Sequence, residues 1–236
     1  MNSLSNGTQL SNGILNALPQ QLNGFRIKLM PVSLPVGLAI YEPYEIPKFA
    51  HFMTSGIASV VTTMKDGGTV ETGMWASEGV AECMHLSGSD RVPSRCFMRI
   101  GGTALRMSFA DLESGFETLQ PLRQGIQRSI QNQTLILGQL VACNRLHEVE
   151  ERLARWLLML QDRVQSDEFH ITQEFLAEML GSRRTTVTMA AGALQRVGLI
   201  EYQRGRVHIL DRERLEAAAC ECYPVIHRLS NNNSAA

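Results

Sequence analysis

The segment 172–194, TQEFLAEMLGSRRTTVTMAAGAL, constrains the fold of this chain more than any other stretch. Phe175, Leu176, Met179 and Leu180 recur at helical spacing, so a first helix turns them to one side. Small Ala177 leaves room for a second helix to cross closely. Gly181 stands where a helix commonly ends in the left-handed conformation, and Ser182 is a good N-cap for the helix that follows. Val187, Ala190, Ala191 and Leu194 then form a second buried stripe. Ala177, Gly181, Val187 and Ala190 have the mutual spacing of a bihelical DNA-reading motif. The second helix is loaded at its start with Arg183, Arg184, Thr185, Thr186 and Thr188. Surface helices ordinarily spread such residues along one face, so this end is built to meet something.

After Gln195–Gly198 the run LIEYQRGRVHIL predicts a two-stranded hairpin with Arg204-Gly205-Arg206 at its tip. A helix-turn-helix followed by such a hairpin is a winged helix. Residues 171–210 carry five arginines against three acids, while the whole chain has a net charge of −1. A polyanion therefore meets a local patch, not a global field. The arginines at the second helix's start and at the wing tip form that patch, where groove reading and backbone neutralisation are expected.

Upstream, residues from about 25 to 108 are short apolar or alternating runs broken by turn signals: FRIKLMPVSL, GLAIYEPYEI, GIASVVTTM and TVETGMW. They predict an all-β roll or sandwich, with Lys65-Asp66-Gly67-Gly68 as a hairpin turn. The period changes at Phe109-Ala110-Asp111. After Pro121 a helix of roughly 24 residues is expected, about 36 Å long. Its apolar positions Leu122, Ile126, Ile130, Leu137 and Val141 repeat every four or seven residues. Interrupted by Gln131, Asn132 and Gln133, this stripe most economically pairs with the same helix of a second subunit. The alternative is a core helix lying along the β domain. A further helix over about 147–163 turns Val149, Leu153, Trp156, Leu157 and Leu160 to one face, and SDEFH reads as a polar link.

The expected fold class is therefore α+β. A β-roll domain covers 14–120, the long helix 121–145 and the winged helix-turn-helix 146–228, with low-complexity, disordered ends at 1–13 and 229–236. The N-terminus lacks the basic and apolar regions of a secretory signal, and no apolar run approaches a membrane span. Five scattered cysteines argue against a disulfide framework and fit a reducing cytoplasm. Cys220 and Cys222 have one residue between them and no histidine or cysteine partner at metal-site spacing, so no metal is expected there. No nucleophile elbow, no carboxylate pair with a flanking histidine and no P-loop is present, so the chain reads as a non-enzyme.

With these features in place, the sequence resembles the cyclic-AMP receptor protein / fumarate-nitrate regulator (Crp/Fnr) superfamily of bacterial transcription factors. HFMTSGIASVVTTMKDGG with EGVAE resembles its sensory, cyclic-nucleotide-binding-like β-roll. GQLVACNRLHEVEERLARWLLML resembles its dimerisation helix and the helix after it. ITQEFLAEMLGSRRTTVTMAAGALQRVGLIEYQRGRVHIL resembles its winged helix. The resemblance implies a cytoplasmic bacterial homodimer on a palindromic double-stranded operator, with RNA polymerase as a candidate partner. The recognition helices would stand one DNA turn apart, about 34 Å.

Carried over by position, the family's guanine-reading arginine falls on Arg184 and its phosphate-touching threonine on Thr186. Thr185 replaces the acidic base-reader and Met189 a second arginine. The expected base-reading set is Arg183, Arg184, Thr185, Thr188 and Met189, so the family's usual operator is not implied. The expected phosphate set is Thr172, Gln173, Ser182, Thr186, Arg204 and Arg206. In nucleotide-binding relatives an Arg-Ser or Arg-Thr pair grips the cyclic phosphate. Here Pro93-Ser94 occupies that place, with Arg91 and Arg95 displaced to either side and Leu137-Gly138 where the dimer helix would supply polar contacts. An effector pocket would involve Glu78, Gly79, Arg91, Ser94, Arg95 and Leu137, but its cyclic-nucleotide chemistry reads as degraded, and no cofactor is expected. No cysteine precedes Cys83, so the N-terminal iron–sulfur cluster of some relatives is not expected. His51 and His85 read as structural, not as haem ligands. The competing reading is a ligand-sensing or protein-interaction module whose helical hairpin binds protein and not DNA. Only DNA binding would weaken steeply with salt.

Overall fold

The computed structural model describes residues 11–19, 22–86, 88 and 91–231. Two compact units emerge. Of the described residues, those within 1–60, 73–134 and 229–236 form one unit, and those within 61–72 and 135–228 form the other.

The first unit opens with two short helices, α1 (Gly13–Ala17) and α2 (Asn23–Arg26). Seven strands follow: β1 (Met30–Leu34), β2 (Ala39–Tyr41), β3 (Phe49–Met53), β4 (Ile57–Thr63), β5 (Thr69–Trp75), β6 (Arg95–Ile100) and β7 (Gly102–Ser108), of which the β4–β5 tip, 61–72, belongs to the second unit. They form two sheets, ordered β1-β7-β3 and β2-β6-β4-β5. Both line one core that includes Leu34, Tyr41, Phe52, Met53, Trp75, Met98 and Met107. The Lys65–Gly68 turn forms as expected: Gly67 takes φ +87, and Met64 N–H donates to Gly68 O at 2.8 Å. That conformation is open to glycine because it lacks a Cβ.

The expected disorder at 1–13 and 229–236 needs correction where the structure describes it. Asn12 is fully buried, caps α1 by accepting from Leu15 N–H, and donates to Met53 O and Gly79 O at 2.9 and 2.8 Å. A helix, α9 (Cys222–Asn231), runs through 229–231. Residues 1–10 and 232–236 lie outside the described residues.

The change of period at Phe109 is helix α3 (Phe109–Thr118), capped by Ser108, whose hydroxyl accepts from Asp111 N–H. Next comes α4 (Gln120–Leu146). Here the continuous dimer stripe is corrected. Leu122 and Ile126 are fully buried in the chain's own β-domain core, with Ile130 packed against it. A side chain with no exposed surface has none left for a second subunit, so this half of α4 is the core helix of the alternative reading. Its polar interruption serves the same packing: Asn132 is buried, and Gln133 Nε2 donates to Met74 O at 2.8 Å. Leu137 and Val141, in the other half, are 43% and 64% exposed.

The second unit continues through α5 (Val149–Val164), β8 (Glu168–His170), α6 (Gln173–Leu180), α7 (Arg184–Arg196), β9 (Ile200–Gln203), β10 (Arg206–Ile209) and α8 (Arg212–Ala218). Every residue of α5 from Arg152 to Gln161 is buried. Trp156 packs edge-on to Phe175 and donates its indole N–H to Glu71 at 3.1 Å. The expected polar link SDEFH is corrected to a strand. Glu168–His170 pairs antiparallel with β10, making the wing three-stranded in the order β8-β10-β9. Among the described residues, no helix is long and apolar enough to cross a membrane.

Candidate nucleic-acid interface

The geometry of the helix pair follows from its caps. Thr172 caps α6 by accepting from Phe175 N–H at 3.2 Å. Phe175, Leu176, Met179 and Leu180 are buried, as their spacing predicts. Gly181 ends the helix at φ 55, ψ 39, and its N–H reaches back to the last turn. Left-handed backbone costs other residues roughly 1–2 kcal/mol, and an added Cβ would also stand 3.3 Å from Val70 Cγ2.

Ser182 does not cap α7. The N-cap is Arg183, without a side-chain capping bond. The Ser182 hydroxyl instead accepts from Arg152 at 2.7 Å and donates to Leu180 O at 3.2 Å. Arg152, itself buried, also donates to Asn144 through both its carbonyl and its side-chain oxygen. The turn between the helices is thus held from below by a guanidinium on α5, a partner far outside the local sequence. As an expected phosphate contact, Ser182 is already engaged.

Along α7, Val187, Ala190, Ala191 and Leu194 are buried, while Arg183, Arg184, Thr185, Thr186, Thr188 and Met189 are exposed. The expected reading residues therefore share one accessible surface over the first two turns. Within it, Thr188 Oγ1 lies 2.9 Å from both Gln173 Oε1 and Arg184 O, so its hydroxyl and Gln173 already tie α7 to α6. Arg184 lies in electrostatic range of Tyr202. Burial raises the Tyr202 hydroxyl above its usual range, with Arg184 opposing, and that hydroxyl donates to Ile171 O at 2.9 Å.

At the wing, Val207 and Ile209 face inward while Arg206 and His208 face out. Arg204 and Gly205 both have positive φ, +50 and +78. This is the backbone sign of a two-residue primed turn, which favours Asn-Gly over Arg-Gly. Arg206 pairs with Glu168 at 3.5 Å. Both side chains are exposed, and such pairs are easily exchanged for a phosphate.

The expected effector residues are placed in other roles. Arg95 Nε donates to Glu42 at 3.0 Å, with its guanidinium 4.9 Å from the Phe97 ring centre. Ser94 hydrogen-bonds to the buried Tyr41 hydroxyl. Arg91 is exposed and Glu78 half-buried. Gly79 is buried where a Cβ would stand 2.6 Å from the Trp75 ring. Leu137 belongs to the other unit. Of the histidines, His51 Nδ1 lies 2.6 Å from Glu82 Oε1, and its backbone N–H donates to Glu82 Oε2. His85 sits against the Tyr41 and Phe109 rings. Glu82, fully buried, carries no signal of this partnership in its local sequence.

Local spacing leaves Cys220 and Cys222 without partners, but the fold supplies them. Cys143 and His147, more than seventy residues upstream, converge on them, and the four ligand atoms lie within 4.8 Å of one another.

Residues 151–218 match the family of Crp-like helix-turn-helix domains. This segment of the chain is a Crp-like helix-turn-helix domain. Solved structures extend the likeness in fold over most of the chain. A putative Crp/Fnr-family transcriptional regulator from Eubacterium rectale is 17% identical, with 88% of this chain and 98% of that chain covered at a TM-score of 0.71. FixK2 from Bradyrhizobium japonicum is 14% identical, with 81% and 98% covered and a TM-score of 0.68. The c-di-GMP-responsive global regulator CLP of Xanthomonas campestris is 18% identical, with 80% and 98% covered and a TM-score of 0.66. No curated protein matches the sequence. In fold, the chain is similar to these Crp/Fnr-family structures: a β-rich N-terminal region, a long helix and a winged helix-turn-helix.

Proposed function

We propose that the protein is a homodimeric transcription regulator that reads a palindromic DNA operator with the first two turns of α7. The observation that carries this reading is the surface shared by Arg183, Arg184, Thr185, Thr186 and Met189, exposed on a helix whose opposite face is buried. Arg184 donates bidentately to guanine O6 and N7. Thr185 and Met189 offer methyl and thioether contacts where relatives place charge, so the operator departs from the family's usual one. Arg204 and Arg206 on the wing, with Thr172 and Thr186, take the backbone phosphates. Dimerisation uses the exposed part of α4 around Leu137 and Val141, whose apolar side chains point away from the chain's own core.

The β-roll acts as the sensing domain, with an effector other than cyclic AMP. Arg95, beside the place of the phosphate-gripping arginine, is engaged by Glu42, and Ser94 by Tyr41. Selection of bound sequences from random duplex DNA, with and without cell extract, tests the function. An enriched palindrome is expected, and binding that weakens steeply with salt. Recovery of no enriched palindrome under either condition refutes the reading in favour of a protein-binding module.

A further inference from the structure

Cys143 lies one turn from the end of α4, and His147 follows four residues later, just past that end. A four-residue step is slightly more than one helical turn, so both side chains leave the same side of the chain. Cys220 and Cys222 flank Glu221 between α8 and α9. Folding brings the two pairs together: Cys143 Sγ is 3.5 Å from Cys220 Sγ, and Cys222 Sγ is 3.6 Å from His147 Nδ1. Metal–ligand lengths of about 2.3 Å to sulfur and 2.0–2.1 Å to nitrogen put tetrahedral edges at about 3.8 Å and 3.6 Å. The two measured edges are therefore close to those of a closed four-ligand cage.

We propose that Cys143, His147, Cys220 and Cys222 bind a single Zn²⁺ ion.

Three features outside the ligand set point the same way. His147 Nε2 is 3.0 Å from Glu221 Oε2. A carboxylate on one ring nitrogen fixes the tautomer that leaves the other lone pair, on Nδ1, for the metal. Gln139 Nε2 donates to Cys222 Sγ at 3.1 Å, a contact that suits a thiolate better than a thiol. Two buried guanidiniums, Arg152 and Arg155, lie in electrostatic range of Cys143 and Cys220. Among the described residues neither is hydrogen-bonded to a carboxylate; Arg155 donates to the Met159 sulfur. Three thiolates and one zinc ion leave a net charge of −1, which a buried arginine beside them offsets.

The ligand set selects the ion. Three sulfurs and an imidazole suit zinc over magnesium, calcium or manganese. Ligand atoms within 4.8 Å of one another enclose one ion, with no room for a multi-iron cluster between them. All four positions come from the chain and its cysteines are buried, the pattern of a structural and not a catalytic site. Binding releases the three thiol protons to solvent. The ion then joins the end of α4 to the start of α9, two points more than seventy residues apart in sequence.

The full chain, purified under reducing conditions and analysed by mass spectrometry for metal, should hold one zinc per chain. Anaerobic titration of the metal-stripped protein with Co²⁺ should give thiolate charge-transfer and tetrahedral d–d bands. Cys143→Ser and Cys222→Ser should each lose them, and Cys96→Ser, which alters a buried cysteine of the other unit, should keep them. Glu221→Gln should keep the spectrum while weakening Zn²⁺ binding about 10-fold. The proposal is overturned if folded, reduced wild-type protein shows no cobalt–thiolate bands, or if iron–sulfur absorbance appears instead. A Cys143–Cys220 disulfide in protein that binds no zinc after reduction overturns it equally. The wild-type titration does not depend on whether any variant folds, nor on DNA binding.

Discussion

Replacing Arg184 with alanine separates reading from folding. The guanidinium is exposed and, among the described residues, makes no hydrogen bond or ion pair. Alanine and arginine differ little as helix formers, by about 0.2 kcal/mol. Arg184 is also the first residue of α7, where a cation opposes the helix dipole by roughly 0.3–1 kcal/mol. Thermal stability should therefore stay level or rise slightly. DNA binding should change in the other direction. Loss of one bidentate guanine contact costs about 1–3 kcal/mol, and a dimer reading two half-sites loses it twice. The total of about 2–6 kcal/mol is roughly a 30-fold to 10⁴-fold rise in Kd. Fluorescence anisotropy on the selected operator, on a panel with each base pair changed and from about 50 to 200 mM salt, gives the test. A direct base contact predicts that preference relaxes at one position per half-site, with the salt slope unchanged. An equal loss on every sequence, with the slope shallower by about 0.9 per contact, would make Arg184 a phosphate contact. A drop in thermal stability larger than about 1 kcal/mol would refute the structural premise.

Four further outcomes follow from particular contacts. Gly102→Ala places a Cβ 2.1 Å from Ser55 O and 2.7 Å from Gly56 Cα. Backbone cannot step aside cheaply, so chemical denaturation should show a loss of about 1–3 kcal/mol or more. Arg204→Asn relieves a left-handed arginine at φ +50; the protein should gain up to about 1 kcal/mol of stability while its DNA affinity falls at low salt. Lys28 and Ser108, hydrogen-bonded to Asp111, hold its carboxyl below the usual range. Because the folded-state pKa is the lower one, its stabilisation is present above the unfolded value of 3.8 and disappears as pH falls through the folded one; Asp111→Asn should therefore narrow the gap to wild type in acid unfolding below about pH 4. Val141→Glu, at an exposed apolar position of α4, should shift sedimentation toward monomer with no change in helical content, whereas Ile126→Glu should unfold the β domain.

Much of the interface was legible in sequence because its signals are local. A helix's buried stripe repeats within two turns, its left-handed end needs glycine, and a hairpin tip needs residues tolerant of positive φ. These rules place α6, Gly181, α7 and the wing from residues 172–209 alone. Sequence and structure diverge where a residue's partner is distant. Ser182 has the chemistry of a cap, yet its hydroxyl is taken by Arg152, thirty residues upstream. Phe169 alternates as a strand residue should, but a three-residue strand exists only because β10 offers a free edge. Leu122, Ile126 and Ile130 share one periodic stripe with Leu137 and Val141, and periodicity does not say which wall each part of a stripe meets.

What the sequence determines by itself is thus the set of elements and the chemical character of the α7 surface, since both depend on residues within a few turns of one another. Tertiary structure alone decides which side chains remain available. It buries the first half of α4 in the chain's own core and leaves Leu137 and Val141 exposed, engages Arg95 with Glu42, and pairs Glu82 with His51. It also brings Cys143 and His147 to Cys220 and Cys222. Spacing rules for metal sites assume ligands on neighbouring turns, and here the chain closes the distance by packing one helix end against another.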